Sequence, residues 1–181
     1  MHRTSASRKG NWIQTYSGRQ FWPVDPRSED VDLMDIAHAL SNLCRYAGHS
    51  RSFYSVGQHS VLASQIVPPR DAGWALMHDA AEAYVVDLPR PIKHDPGAAW
   101  YREIERRVMA AVCLRFSLPM IQPASVSLAD DVLLSTERRD LMAPSVEWSA
   151  HSDPMPKLIV PWTPEEAKDQ FLCRARHLGL S

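Results

Sequence analysis

The chain has 181 residues, 45% of them apolar and 23% charged, with a formal net charge of −1. This length suits a single domain with a substantial buried core. The near-zero net charge excludes a broad electrostatic attraction to nucleic acid or to an anionic membrane.

No apolar run approaches membrane-spanning length, and nothing near the start resembles a signal peptide. Cys44, Cys113 and Cys173 lie far apart without Cys-x-x-Cys spacing. They are expected to be small apolar residues in a reducing cytoplasm rather than a disulfide or zinc framework.

In chain order, residues 1–28 read as an N-terminal extension with a small β-hairpin, strands 12–16 and 20–24, turning at Gly18. Its aromatics Trp12, Tyr16, Phe21 and Trp22 are expected to pack on the main body. Residues 29–145 read as the core and 146–181 as a C-terminal loop and helix packed on it.

A helix opens near Asp30, where acidic residues suit the macrodipole. Leu33, Ile36, Ala37, Leu40 and Leu43 form its apolar face, and His38 on it reads as structural. Ser55 caps the next helix, which carries His59 near its start and stops at Pro68-Pro69. Asp71 opens the following one.

Further helices are expected over Ala98–Phe116, with Arg102, Glu103, Glu105 and Arg106 on its outer face, and over 124–142. The last helix runs from a Thr163-Pro-Glu-Glu capping box to about His177. Strand signals are otherwise scarce, so the fold class is mostly α.

The chemistry concentrates in residues 78–93, His-Asp-Ala-Ala-Glu-Ala-Tyr-Val-Val-Asp-Leu-Pro-Arg-Pro-Ile-Lys. On a helix, His78 and Glu82 stand at i and i+4, and Asp79 and Glu82 at i and i+3, so the three share one side. An imidazole and two carboxylates amid Leu, Met and Ala are costly to bury unless they hold a cation or one another. The donor set suits a divalent transition metal. Prolines 89 and 91 end the helix.

The run His78-Asp79-x-x-Glu82 followed by Asp87, Leu88-Pro89, Pro91 and Lys93 resembles the centre of the HD-domain metal-dependent phosphohydrolases, in particular their small 5′-deoxynucleotidase-like branch. The resemblance covers roughly residues 30–142 and implies an HD-domain helical bundle. It further implies that one divalent ion (Mn, Co, Zn or Mg) is held by His59, His78, Asp79 and Asp130, with Asp131 the alternative to Asp130. Glu82 would handle the proton of the attacking water, and Asp87 would lie beside the substrate. Arg45 and Tyr46 would take phosphate and sugar or base, with His49 and Lys93 as further contacts. The segment Thr136-Glu-Arg-Arg-Asp-Leu-Met resembles the family's and reads as structural support. Ser127 departs from the pattern, since relatives often carry Lys there.

The implied activity is that of a cytoplasmic enzyme hydrolysing 5′-(deoxy)nucleoside monophosphates. The alternatives are a deoxynucleoside triphosphate triphosphohydrolase, like certain phage enzymes of the branch, and a metal-dependent nucleotide sensor. Beyond Arg45 and Lys93, the cations available for extra phosphates are His49, Arg51, Arg90, His94 and Arg139. The implied partner is a small-molecule nucleotide, with neither nucleic acid nor membrane expected, and the sequence leaves open whether the chain is a monomer or a homo-oligomer.

Overall fold

The computed structural model describes residues 7–144 and 152–180. Ile13–Gln14 (β1) and Gln20–Phe21 (β2) pair antiparallel, Ile13 opposite Phe21 and Gln14 opposite Gln20. The turn between them needs Gly18 at φ 81. The strands are shorter than expected because Pro23 has no N–H to extend the ladder. Of the hairpin aromatics, Phe21 is fully buried while Trp12 and Tyr16 remain exposed. Tyr16 still finds a neighbour, stacking on His38 at 3.6 Å between ring centres. That contact agrees with a structural role for His38.

The hairpin is anchored to the first helix by a buried carboxylate. Asp35 accepts from the Ser17 backbone N–H at 2.6 Å and from Ser17 Oγ at 2.9 Å. That helix, α1 (Leu33–Asn42), is shorter than expected; Asp32 caps it by accepting from the N–H groups of Met34 and Asp35, and residues 28–30 form a separate 3₁₀ turn. Helix α2 (Val56–Ile66) starts at the expected cap, with Ser55 Oγ accepting from Gln58 N–H. It is buried on nearly every side, from Val56 to Val61 without a break, as a central helix must be. Around it pack α1, α3 (Ala72–Met77), α7 (Ala124–Leu141) and α8 (Pro164–His177).

Two short helices, α4 (Glu82–Val85) and α5 (Arg90–Lys93), lead into α6 (Ala99–Arg115). On α6, Arg106 and Arg107 both pair with Glu103 in solvent. Arg102 and Glu105, expected on the same outer face, instead turn toward α5: Arg102 donates to the Lys93 carbonyl and Glu105 accepts from Lys93 Nζ. The capping box at Thr163 forms as expected, with Glu166 reciprocating. Buried Gln58 pins the segment before α8 by donating to Val160 O and accepting from Trp162 N–H.

Part of the loop expected after residue 145 lies outside the described residues. The cysteines divide: Cys113 is buried, Cys44 half-buried and Cys173 exposed, so only the first is the expected core thiol. No helix among the described residues is long and apolar enough to cross a membrane. The fold is mostly α, a helical bundle around α2 with one small hairpin.

Candidate metal centre

The helix expected to carry His78, Asp79 and Glu82 as one continuous face is broken. It ends at Met77, and the backbone tightens: Ala80, Glu82, Ala83 and Tyr84 each donate to the carbonyl three residues back. In such 3₁₀ winding, residues at i and i+3 eclipse. Asp79 and Glu82, three residues apart, therefore stay on one side of the turn. Tyr84 then stacks on Phe21 at 3.9 Å, which ties this segment to the hairpin.

His59 comes from the first turn of α2, and His78 and Asp79 from the tightened turn. Their ligand atoms lie within 4.8 Å of one another. His59 Nε2 and His78 Nε2 are 3.2 Å apart, and His78 Nε2 is 3.2 Å from Asp79 Oδ2. From α7, Asp130 Oδ1 comes within 3.2 Å of His59 Nε2. Asp130, rather than Asp131, thus joins the cluster.

The hydrogen bonds behind the imidazoles test whether a cation fits. His59 Nδ1 lies 2.6 Å from Glu137 Oε1, and His78 Nδ1 lies 2.7 Å from Ala75 O. A carbonyl can only accept, and an ionised carboxylate likewise, so each Nδ1 must carry the proton. With both rings neutral, the Nε2 lone pairs face each other and two carboxylate oxygens, an all-acceptor arrangement that a divalent cation satisfies. The group His59, His78 and Asp79 can hold a metal ion, and Asp130 is placed to add a fourth donor.

With no cation bound, the same carboxylates draw a proton onto the cluster instead, which a cation would displace. Burial pushes the His78 imidazole down, but adjacent Asp79 outweighs it and raises His78 to about 9. Burial pushes Asp79 up, yet His78 beside it holds it well below the usual carboxylate range. Asp130 is likewise held at about 2 against its burial by the hydrogen bond and charge of His59. Glu82 goes the other way: burial first, then the charges of Asp79 and Asp87, raise it to about 9.

A cavity of about 630 Å³ opens beside this cluster, with Tyr46, Ala47, His49, Glu82, Val86, Asp87 and Arg90 among its lining. A second, of about 540 Å³, contains His78, Asp79 and Asp130 in its wall together with Lys93 and Arg102. Glu82 lines both. The walls of the first are strained. Tyr46 (φ 56), Ala47 (φ 50) and Val86 (φ 61) all hold the left-handed region, which is costly for a β-branched residue such as Val86. The Tyr101 hydroxyl donates to Val86 O and helps hold it there. Strain of this kind persists where surrounding structure over-determines it, commonly at ligand sites.

Of the expected substrate contacts, Arg45 and Tyr46 reach the centre but are already engaged. Arg45 Nε donates to Glu137 at 3.1 Å, and its outer nitrogens lie 3.5 Å from Asp79 and 3.9 Å from Asp130. The Tyr46 hydroxyl donates to Glu137 Oε2. Lys93 is not a bare point charge: it pairs with Asp87 at 2.9 Å and Glu105 at 2.6 Å. His49 and Arg90 line the larger cavity.

Arg51 and Arg139 face elsewhere. Arg51 donates to Asp140 O, and Arg139 pairs with the Asp140 carboxylate. Ser127 is exposed and accepts from Gln122.

Glu137 is the residue whose importance the sequence understated. It is fully buried, and it joins His59, Arg45 and Tyr46. Burial pushes its carboxyl up, but Arg45 and His59 together hold it down to about 2. The signal was its spacing: Asp130, buried Leu133 and Glu137 follow one face of α7 at i, i+3 and i+7.

No protein-family model matches the chain. Over 130 residues, 67% of this chain and 66% of the relative, it is 36% identical to the uncharacterized protein RCAP_rcc00048 of Rhodobacter capsulatus. Over 131 residues, 72% of each chain, it is 44% identical to the uncharacterized protein YfdR of Escherichia coli K12. At that identity and coverage, the chain belongs to the YfdR family.

Proposed function

We propose that the protein is a metal-dependent phosphohydrolase of the HD-domain type, hydrolysing 5′-(deoxy)nucleoside monophosphates to nucleoside and phosphate. The observation that carries this is the convergence of two imidazole Nε2 atoms and two carboxylates beside half-buried Glu82, at the boundary of a nucleotide-sized cavity. Small-molecule sites typically span ~300–1,000 Å³, and the cavity at about 630 Å³ suits a nucleoside.

His59, His78, Asp79 and Asp130 would hold a divalent cation (Mn, Co, Zn or Mg), which would supply Lewis-acid charge for the phosphoryl oxygens and acidify water. Glu82 takes the proton from the water whose oxygen bonds to phosphorus. The P–O5′ bond breaks, and the 5′ oxygen leaves as a hydroxyl on receiving the proton that Glu82 took from the water. Neutralising Asp79 removes one of the charges that raise Glu82, and so favours the ionised base. Asp87, at the cavity edge, is placed for the sugar or the leaving oxygen. Arg45 and Lys93 offset charge developing on the phosphoryl group.

The charge balance favours the monophosphate. A triphosphate brings about two further negative charges that need additional donors. Here Arg45 is shared among three carboxylates and Lys93 between two. Arg51 and Arg139 are spent on Asp140 and its carbonyl.

The test offers dAMP, dATP and their counterparts with other bases in the presence of Mn²⁺ or Co²⁺, with products identified chromatographically. Nucleoside and orthophosphate from the monophosphates are expected. Nucleoside with intact tripolyphosphate, and no attack on monophosphates, would overturn the assignment in favour of a triphosphohydrolase.

A further inference from the structure

Glu137 touches both halves of the site. Its Oε1 accepts from His59 Nδ1, while its Oε2 accepts from Arg45 Nε and the Tyr46 hydroxyl. One oxygen serves a metal-ligating imidazole and the other serves the loop that walls the cavity. The carboxylate has no solvent exposure, and it approaches from the far side of His59 relative to the ligand cluster. It therefore acts only through other residues.

Two features make this more than packing. First, a carboxylate behind an imidazole fixes its tautomer and ring orientation and raises the basicity of the other nitrogen. Second, the loop it holds is strained: Tyr46 and Ala47 both sit at positive φ, a conformation the backbone does not keep without tertiary anchors. The anchors of that turn include the two bonds to Glu137.

We propose that Glu137 is a positioning residue that couples the cation site to the nucleotide cavity, aiming His59 Nε2 at the cation while clamping Arg45 and Tyr46 against the substrate. The proposal rests on the assignment of the cluster as a cation site and of the cavity as the nucleotide's. The consequence is that one buried charge sets both affinities. Removing the charge leaves Arg45 without its nearest partner and closest to Asp79 and Asp130, where it competes with the cation for their oxygens.

The experiment compares Glu137→Gln, Glu137→Asp and Tyr46→Phe with the wild type. It reads Mn²⁺ affinity by calorimetry, the ¹⁵N signals of His59, thermal melting, and KM and kcat for the best monophosphate. Glu137→Gln keeps the side chain's size and an acceptor for His59. It should bind Mn²⁺ about 10- to 100-fold more weakly, shift the His59 tautomer signals, and raise KM more than it lowers kcat at saturating Mn²⁺. Tyr46→Phe removes the hydroxyl that donates to Glu137 and leaves the His59–Glu137 bond in place, and it should raise KM with far less effect on Mn²⁺ affinity than Glu137→Gln has.

Wild-type Mn²⁺ affinity and unshifted His59 signals in both folded Glu137 variants would overturn the coupling, as would an unaltered KM in Tyr46→Phe. If Glu137→Gln melts too low to assay, Glu137→Asp decides, because it keeps the charge but withdraws it from His59. Failure of the enzymatic assignment looks different. The wild type would then bind Mn²⁺ and turn over no nucleotide, while the Mn²⁺ affinities and His59 signals of the variants still decide the role of Glu137.

Discussion

The Nε2 atoms of His59 and His78 face each other across 3.2 Å, one from the buried helix α2 and one from the tightened turn after α3. Each ring donates its Nδ1 proton to an acceptor behind it, so when the rings are neutral the facing nitrogens both present lone pairs. Two acceptors at that distance repel unless a cation or a proton lies between them.

Metal binding follows from that relationship. Mn²⁺ or Co²⁺ should bind and raise the melting temperature, worth about 2.7 kcal/mol at a hundredfold excess over Kd. Exhaustive chelation should abolish hydrolysis, and either ion should restore it. His78→Ala should lose both the calorimetric signal and the thermal shift. Full activity in chelated protein with no metal by elemental analysis would remove the basis of the assignment.

Glu82 faces no carboxylate-binding partner strong enough to offset its burial and the charges of Asp79 and Asp87. Glu82→Gln should cut turnover by about 10²-fold or more, with Mn²⁺ still bound. Wild-type turnover in this variant would transfer the role to Asp87.

The same group predicts a pH dependence of stability. Its pKa in the fold is raised to about 9 from an ordinary 4.5. Between those values the folded chelated protein holds more protons at this site than the unfolded chain. Its contribution to stability therefore falls as pH rises through that window. Glu82→Gln should flatten the decline in chemical-denaturation midpoint between pH 5 and about 9, and should raise the midpoint of the chelated protein at pH 8. A decline as steep as in the wild type would refute the assignment of the shift.

Lys93 is held between Asp87 and Glu105 at 2.9 and 2.6 Å. Glu105→Gln releases half of that restraint and makes the wall of the smaller cavity one charge less negative, with Lys93 still paired to Asp87. KM for a monophosphate should fall about two- to fivefold, in line with the ~0.2–1 kcal/mol of a partly exposed ion pair. The gain should shrink at high salt. Steady-state kinetics at two ionic strengths measures both effects.

Gly57 sits where α2 crosses α1. A Cβ there would lie 2.7 Å from Ser41 Oγ and 3.1 Å from the Ser41 backbone. The side-chain oxygen can rotate away, but the backbone of α1 cannot. Gly57→Ala should cost about 1–3 kcal/mol in urea denaturation. Because His59 follows two residues later on the same helix, Mn²⁺ affinity should fall as well.

Much of the architecture is written locally in the chain. Ser55 and Thr163 cap α2 and α8 through bonds reaching at most three residues onward, so a linear reading finds them, whereas α1 is capped by Asp32, two residues after the expected opening at Asp30. The periodic apolar face of α1 is legible for the same reason. Histidines 59 and 78, Asp79 and Asp130 could be nominated from their motif and its resemblance.

What the chain could not display is whatever depends on distant segments meeting. His59 and Glu137 are 78 residues apart, and Arg45 and Glu137 are 92 apart. Only the packing of α7 and the Arg45 loop against α2 turns a supporting glutamate into the hub of the site. The neutralisation of Lys93 by Glu105 likewise required α6 to turn that carboxylate inward. The break of the His-Asp helix into 3₁₀ winding has no local breaker before Pro89. There, tertiary anchors such as the stacking of Tyr84 on Phe21 override a good helical propensity. Local hydrogen bonds reach only a few residues, and so set the elements; burial acts between elements, and so decided which charges meet.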